Sequence, residues 1–230
     1  MDETGGATAM SIKIKFSYTF LISLLCLIGF GLIAYWIGAA RIHTFDNQII
    51  AYVQGLESDS WTRFMKLFTW IGSQLPVVVI LLATLLFLYF VLHHRSELVF
   101  LLVVVGGSAL LNLLLKELFR RDRPSLHRLI EETGFSFPSG HSMAAFSLYG
   151  AIVFLIWKHI PYLLGRIAVI VIGACLILTI GVSRIYLGVH YPSDVLGGYL
   201  ISACWLTASI WLYQGYLEAA YEKKRGYARP

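Results

Sequence analysis

Charge is what this sequence has least of. Only 13% of its 230 residues are Asp, Glu, Lys or Arg, while 58% are hydrophobic; an ordinary soluble domain carries about 25% charged residues. With mean hydropathy at +0.73, no single compact core of this size hides so much apolar surface. A water-soluble globule is excluded, and part of the surface must face lipid. Cysteine is scarce too. Cys26, Cys175 and Cys204 form an odd trio inside apolar stretches, which argues against a disulfide framework or a metal site and suits small buried side chains. Apolar and polar residues do not alternate over runs of strand length, so barrel strands are not indicated. There is no obvious repeat, and no linker suggests a second domain.

What is present is a set of long uncharged runs. A hydrocarbon core of about 30 Å needs roughly 17 to 25 helical residues. Six stretches qualify: Phe16–Ala40, Gln74–Leu92, Leu98–Leu115, Ser139–Trp157, Ile167–Val182 and Val195–Leu217. The expected fold is therefore all-α, an integral membrane bundle of six transmembrane helices. Residues 1–15 are expected to be an N-terminal tail, 16–217 the six-span domain and 218–230 a basic C-terminal tail. Met10 is an alternative start. The first run is too long, and too poor in a small-residue cleavage site, for a signal peptide, and is expected to be retained.

An even number of spans puts both termini on one side, with the loops around Arg95 and residues 158–166. The net charge of +5 would suit nucleic acid in a soluble chain; here the cations are candidates for cytoplasmic anchors or ligands for an anionic headgroup. Each side carries nine Lys and Arg. If Lys116, Arg123 and Arg184 are set aside as ligands the balance becomes nine to six, which makes the terminal side cytoplasmic. The polar segment from Arg41 to Ser73 holds Phe45, Ile49, Val53 and Leu56, then Trp61, Phe64, Met65 and Phe68, at helical spacing. This predicts short interfacial helices that either cap the bundle or wall a path for a lipid.

Three polar pieces stand out, all on the side away from the termini. In the first, Lys116, Arg120 and Arg123 share one helical face if the third span continues to Pro124; the cations either snorkel or bind an anion. Arg121 either widens that pocket or pairs with Glu117 four residues earlier. The second is Pro138-Ser139-Gly140-His141 before the fourth span. Ser139 either simply caps the helix or, with the Gly140 amide, binds phosphate oxygens at a helix N-terminus, with His141 beside the anion. The third runs from Ser183-Arg184 to His190, Pro192 and Asp194. Pro192 is placed to open the sixth helix, and Asp194 to orient the His190 imidazole for attack or merely to pair with it. Together, cations, a helix N-terminus, two histidines and an aspartate describe a pocket for a phosphate attacked at phosphorus. A hard metal would want several converging carboxylates, so no metal is expected in it. His43, His93, His94, His127 and His159 are read as interfacial or solvated, Asn112 as a bridge between helices, and Gly197 and Gly198 as sites of close helix approach.

These eleven positions, Lys116, Arg123, Pro124, Pro138, Ser139, Gly140, His141, Ser183, Arg184, His190 and Asp194, resemble in order and spacing the three-part signature of the type 2 phosphatidic acid phosphatase superfamily. Within it the chain looks most like the bacterial phosphatidylglycerophosphatases and undecaprenyl diphosphate phosphatases. The resemblance implies that His190 is a nucleophile forming a phosphohistidine, Asp194 its orienting partner and His141 the general acid. It implies that Lys116, Arg123, Ser139, Gly140 and Arg184 bind phosphate. It implies a lipid phosphate substrate among membrane lipids, no cofactor, no nucleic-acid partner, and a site facing away from the cytoplasm. Oligomeric state is not legible. Lipid phosphotransfer shares every one of these residues, and lipid binding or translocation by a degenerate site would require a loss that the signature does not show.

Overall fold

The computed structural model describes residues 3–125 and 127–227. It is all-helical: α1 (Glu3–Gly38), α2 (His43–Gln54), α3 (Asp59–Ile71), α4 (Gln74–Phe87, continued by a wider helical turn at Leu88–Leu92), α5 (Arg95–Phe119), α6 (Gly140–His159), α7 (Leu163–Tyr186) and α8 (Pro192–Tyr227). Six of these, all but α2 and α3, contain segments long and apolar enough to cross a membrane. The protein is a multi-pass membrane protein. The spans differ from expectation at their ends. α1 is helical from Glu3, inside the segment expected to be a tail, and α8 runs ten residues past Leu217 to Tyr227.

The spans sort by apolarity. α6 and α8 are the least apolar, with mean hydropathies of 1.4 and 1.6, and the most buried, at 44% and 39% of residues. The other four lie between 2.4 and 2.9 and are 11–22% buried. This is the inverse of a soluble fold: with lipid as solvent, small and polar side chains go inward and the greasiest helices form the wall. The main core sets Ala145, Leu148, Ala151 and Leu155 of α6 against Leu101 and Val104 of α5 and Ile177 and Ile180 of α7. The three cysteines are free; Cys26 and Cys204 are half-buried, but Cys175 is exposed on α7, so it is not the buried filler expected.

Close helix approach depends on missing side chains. A Cβ on Gly107 would stand 2.2 Å from the Trp205 ring, whose indole N–H donates to the Val104 carbonyl at 3.0 Å. A Cβ on Gly197 would stand 2.4 Å from the Phe137 ring, which lets the segment before α6 press onto α8. Phe137 in turn stacks on Phe30 of α1 at 5.5 Å and meets Phe119 edge-on at 5.0 Å.

α2 and α3 lie across the end of the bundle that carries the polar pieces. Met65 of α3 packs with Val53 of α2 against Tyr186, Leu187 and Val189, and Phe68 and Ile71 reach the main core. Trp61, Phe64, Leu67 and Trp70 remain exposed. The inner face of α3 therefore caps the bundle, and its outer face is apolar and exposed. Replacing Gly107 by Val should destabilise the protein by about 1–3 kcal/mol through overpacking, whereas Gly106→Val, where nothing lies within 4 Å, should not; unfolding of both variants in detergent measures the difference.

Candidate active site

The third span does not continue helically to Pro124. α5 stops at Phe119, where Arg120 takes a left-handed conformation (φ 44°) and its amide closes the last turn on the Lys116 carbonyl at 3.0 Å. The expected shared face of Lys116, Arg120 and Arg123 is thus broken. Arg120 turns outward and pairs with Glu117 at 3.3 Å, exposed, and Arg121, not Glu117's partner, turns inward. Beyond the reversal the Arg121 carbonyl accepts from the Ser136 amide at 2.7 Å, which holds the loop before α6 against the loop after α5. α6 opens as expected, with Ser139 as its N-cap: the Oγ accepts from the Ser142 amide at 3.4 Å and the Ser142 hydroxyl at 2.9 Å. The Ser139 amide donates to the Asp194 carbonyl at 3.1 Å, so the starts of α6 and α8 are joined. Asn112 of α5 donates to the Pro138 carbonyl at 3.1 Å and stands beside Gly140; it does bridge helices, and at the site. Pro192 opens α8 and places Asp194 in its first turn.

His190 is buried where these segments meet. Its Nδ1 lies 3.4 Å from Asp194 Oδ2 and 3.3 Å from Ser136 Oγ. Its Nε2 lies 3.0 Å from Arg123 Nη1. A guanidinium only donates, so Nε2 is the acceptor and the ring proton sits on Nδ1, toward the carboxylate. Burial, reinforced by the Arg184 and Arg123 charges and opposed by Asp194, pushes His190 down to about 4. The imidazole is therefore neutral at physiological pH, with its lone pair turned toward cations.

Arg123 is fixed by the carbonyls of Val189, Gly134 and Thr133 at 2.9–3.0 Å; burial lowers its pKa from the usual guanidinium value. Arg184 is almost fully buried, bonded to Thr69 Oγ1 of α3 at 2.5 Å and to Glu132, and its Nε is left without a partner. Glu132 is held below the usual carboxylate range because Arg184 and Arg123 outweigh its burial. Lys116 and His141 make no hydrogen bond among the described residues, and both lie within electrostatic reach of Arg123 and Arg184. All eight residues singled out in the sequence thus converge on one end of the bundle.

Several participants escaped the sequence reading. Asp194 is satisfied by donors that no motif specifies: Ser136 Oγ at 2.5 Å, the Tyr191 amide at 2.8 Å and Arg121 Nη1 at 2.7 Å. Arg121 Cζ sits over the Tyr191 ring, 4.1 Å from its centroid, and the guanidinium bridges to the buried Asp46 of α2 at 2.8 Å. Asp46 also accepts from the Ser193 amide at 2.9 Å and its hydroxyl at 2.7 Å. Asp46 shares the face of α2 that carries Val53 seven residues on, and a lone carboxylate on that face was the available signal. For Ser136 and Glu132 the sequence holds none.

The model of the PAP2 superfamily matches residues 97–217, more than half of the chain. The chain belongs to the PAP2 superfamily. It is 46% identical over 91 residues to phosphatidylglycerophosphatase B of Bacillus subtilis (39% of this chain, 45% of that protein). It is 38% identical over 84 residues to phosphatidylglycerophosphatase B of Escherichia coli K12 (36% and 31%). The matched part thus spans under half the length of these relatives. The crystal structure of the transmembrane PAP2-type phosphatidylglycerolphosphate phosphatase from Bacillus subtilis superposes with a TM-score of 0.72 at 31% identity, covering 86% of this chain and 96% of that one.

Asp46→Ala leaves Arg121 buried with half its neutralisation gone, and should cost about 3–5 kcal/mol. An Asp46→Ala/Arg121→Met double variant should recover none of that loss, because it also strips the buried Asp194 of its counter-charge, as measured by denaturant unfolding in detergent.

Proposed function

We propose that the protein is an integral membrane lipid phosphatase working through a phosphohistidine. The observation that carries this reading is the buried, neutral His190, oriented through Nδ1 by Asp194 and facing cations through Nε2. A phosphate whose oxygens are held by Lys116, Arg123, Arg184, the Ser139 hydroxyl and the Gly140 amide presents its phosphorus to Nε2. As the N–P bond forms, the P–O bond to the lipid breaks, and His141, protonated once the bound phosphate offsets the Arg184, Lys116 and Arg123 charges around it, gives that proton to the departing oxygen. The Nδ1 proton stays on the imidazolium-like ring, stabilised by Asp194. Water then attacks phosphorus, His141 takes its proton, the N–P bond breaks, and inorganic phosphate and free His190 remain. No step calls for a metal. Arg123 and Arg184, which compensate charge on the phosphoryl oxygens, are already held by their own hydrogen bonds, the arrangement that lowers such barriers most.

The substrate class is a lipid phosphomonoester or diphosphate: phosphatidylglycerophosphate first, on the likeness to phosphatases named for it, with phosphatidic acid and polyprenyl diphosphates as the other members. The apolar outer face of α3 beside the site supports a substrate that stays in the membrane while its headgroup reacts. The charge balance of the loops supports a site facing away from the cytoplasm.

His190→Ala should lower phosphate release from phosphatidylglycerophosphate on the order of a thousandfold or more, and the wild type should keep its rate in EDTA; unchanged release by the variant refutes the nucleophile. The wild-type pH profile has a stated sign. With the folded-state pKa of His190 at about 4, kcat/KM should be unaffected by this group from pH 7 to about 5 and fall as protonation removes the Nε2 lone pair below that. A limb set by an unperturbed histidine would instead begin near pH 6.5.

A further inference from the structure

At the end of the bundle opposite His190 a second group of polar side chains meets. Glu97, in the first turn of α5, is 4% exposed, and Lys116 follows it by nineteen residues on the same helix, roughly 28 Å at about 1.5 Å per residue. The cluster is therefore remote from the phosphate pocket. Glu97 Oε2 lies 3.2 Å from His94 Nδ1, and Oε1 lies 3.7 Å from His159 Nε2 and 3.0 Å from Lys158 Nζ. The His94 and His159 rings stack at 5.4 Å, 23° from parallel. The sequence suggested only interfacial or solvated roles for these two histidines; the fold brings one from the start of α5 and one from the end of α6 onto the same buried carboxylate.

We propose that His94, Glu97 and His159 form a binding site for one divalent cation of the zinc class, which displaces the Lys158 ammonium from Glu97 and ties the start of α5 to the end of α6. The three ligand atoms lie within 4.8 Å of one another. Four ligands at bond lengths of about 2.0–2.1 Å around a tetrahedral ion stand about 3.3 Å apart. The 3.2 Å from His94 Nδ1 to Oε2 already matches one such edge, and His159 Nε2, 3.7 Å from the other carboxylate oxygen, closes on the same ion by a small rotation of the carboxylate or the ring. Two imidazoles and one carboxylate select a borderline ion over Mg²⁺ or Ca²⁺, which need more oxygen ligands. The side chains of His94 and His159 are 39% and 49% exposed, so the ion arrives from water and keeps a water as its fourth ligand. Lys158 is the competitor. Its ammonium sits 5.0 Å from the Tyr213 ring and its side chain is 27% exposed, which lets the ammonium swing outward while the stem stays packed. The site is distinct from the proposed phosphate chemistry and does not rest on it.

The test uses tag-free, full-length protein in detergent, stripped with chelator and dialysed, then titrated with ZnCl₂ calorimetrically and with CoCl₂ by visible absorption. The expected result is one Zn²⁺ per chain, a higher unfolding temperature, and d–d bands of tetrahedral intensity with Co²⁺. Glu97→Gln and His159→Ala should each weaken binding at least tenfold and abolish the bands, with phosphate release in metal-free buffer unchanged. Lys158→Met should bind Zn²⁺ several-fold more tightly than wild type, since it removes the competing cation. If wild type and Lys158→Met respond to Zn²⁺ no more than Glu97→Gln does, or if Lys158→Met binds more weakly than wild type, the proposal is overturned and Glu97 serves only its ion pair with Lys158.

Discussion

Arg121 carries the arrangement of the candidate site. Two carboxylates, Asp46 and Asp194, are fully buried at the end of the bundle, and leaving either ionised without a counter-charge would cost several kcal/mol. One guanidinium reaches both, at 2.8 and 2.7 Å. It does so from a loop that the left-handed turn at Arg120 has swung inward. The result is a three-element junction: α2 through Asp46, the α5–α6 loop through Arg121 and Ser136, and the start of α8 through Ser193 and Asp194. His190 inherits its position from that junction, because the Asp194 oxygen it faces is already held by Ser136 and the Tyr191 amide.

This organisation follows from lipid as solvent. The four outer spans spend their apolar side chains on the membrane, so specificity inside comes from glycine contacts, aromatic stacking and hydrogen bonds at the centre. α6 and α8 supply that centre, and both begin at the site. Their relatively polar sequences, which weaken them as hydrophobic signals, are what allow His141, Ser139, Asp194 and Ser193 to be presented there.

The six spans, and the meeting of the three polar pieces at one end of the bundle, were legible in the sequence, because hydropathy over a span and a rigid motif spacing are local properties. The junction was not. Asp46 and Arg121 are 75 residues apart, and helical register put Arg120 rather than Arg121 on the face of Lys116, yet Arg120 faces solvent and Arg121 pairs with Asp194. The choice is made by the backbone at Arg120, which ends the helix one turn earlier than Pro124 alone suggests. Helix ends misled at the other face as well. Treating residues 93–97 as a connecting loop hid that Glu97 starts α5 on its buried side, where His94 and His159 could find it. The interfacial segment was ambiguous for a related reason: amphipathic spacing identifies apolar residues without saying which turn to the bundle, as Met65 and Phe68 do, and which stay outside, as Trp61 and Phe64 do.

The bonds from α2 and α3 into the site have a consequence for timing. Asp46 fastens one interfacial helix to Arg121, and Thr69 fastens the other to Arg184. A layer held by buried charged hydrogen bonds cannot lift away at each turnover without breaking them. The layer is thus a fixed threshold, and the ordering entropy that many enzymes meet when a lid shuts over substrate has here been settled once, during folding. Under the proposed function, a lipid headgroup drifting in the plane of the membrane meets a pocket already in its working shape.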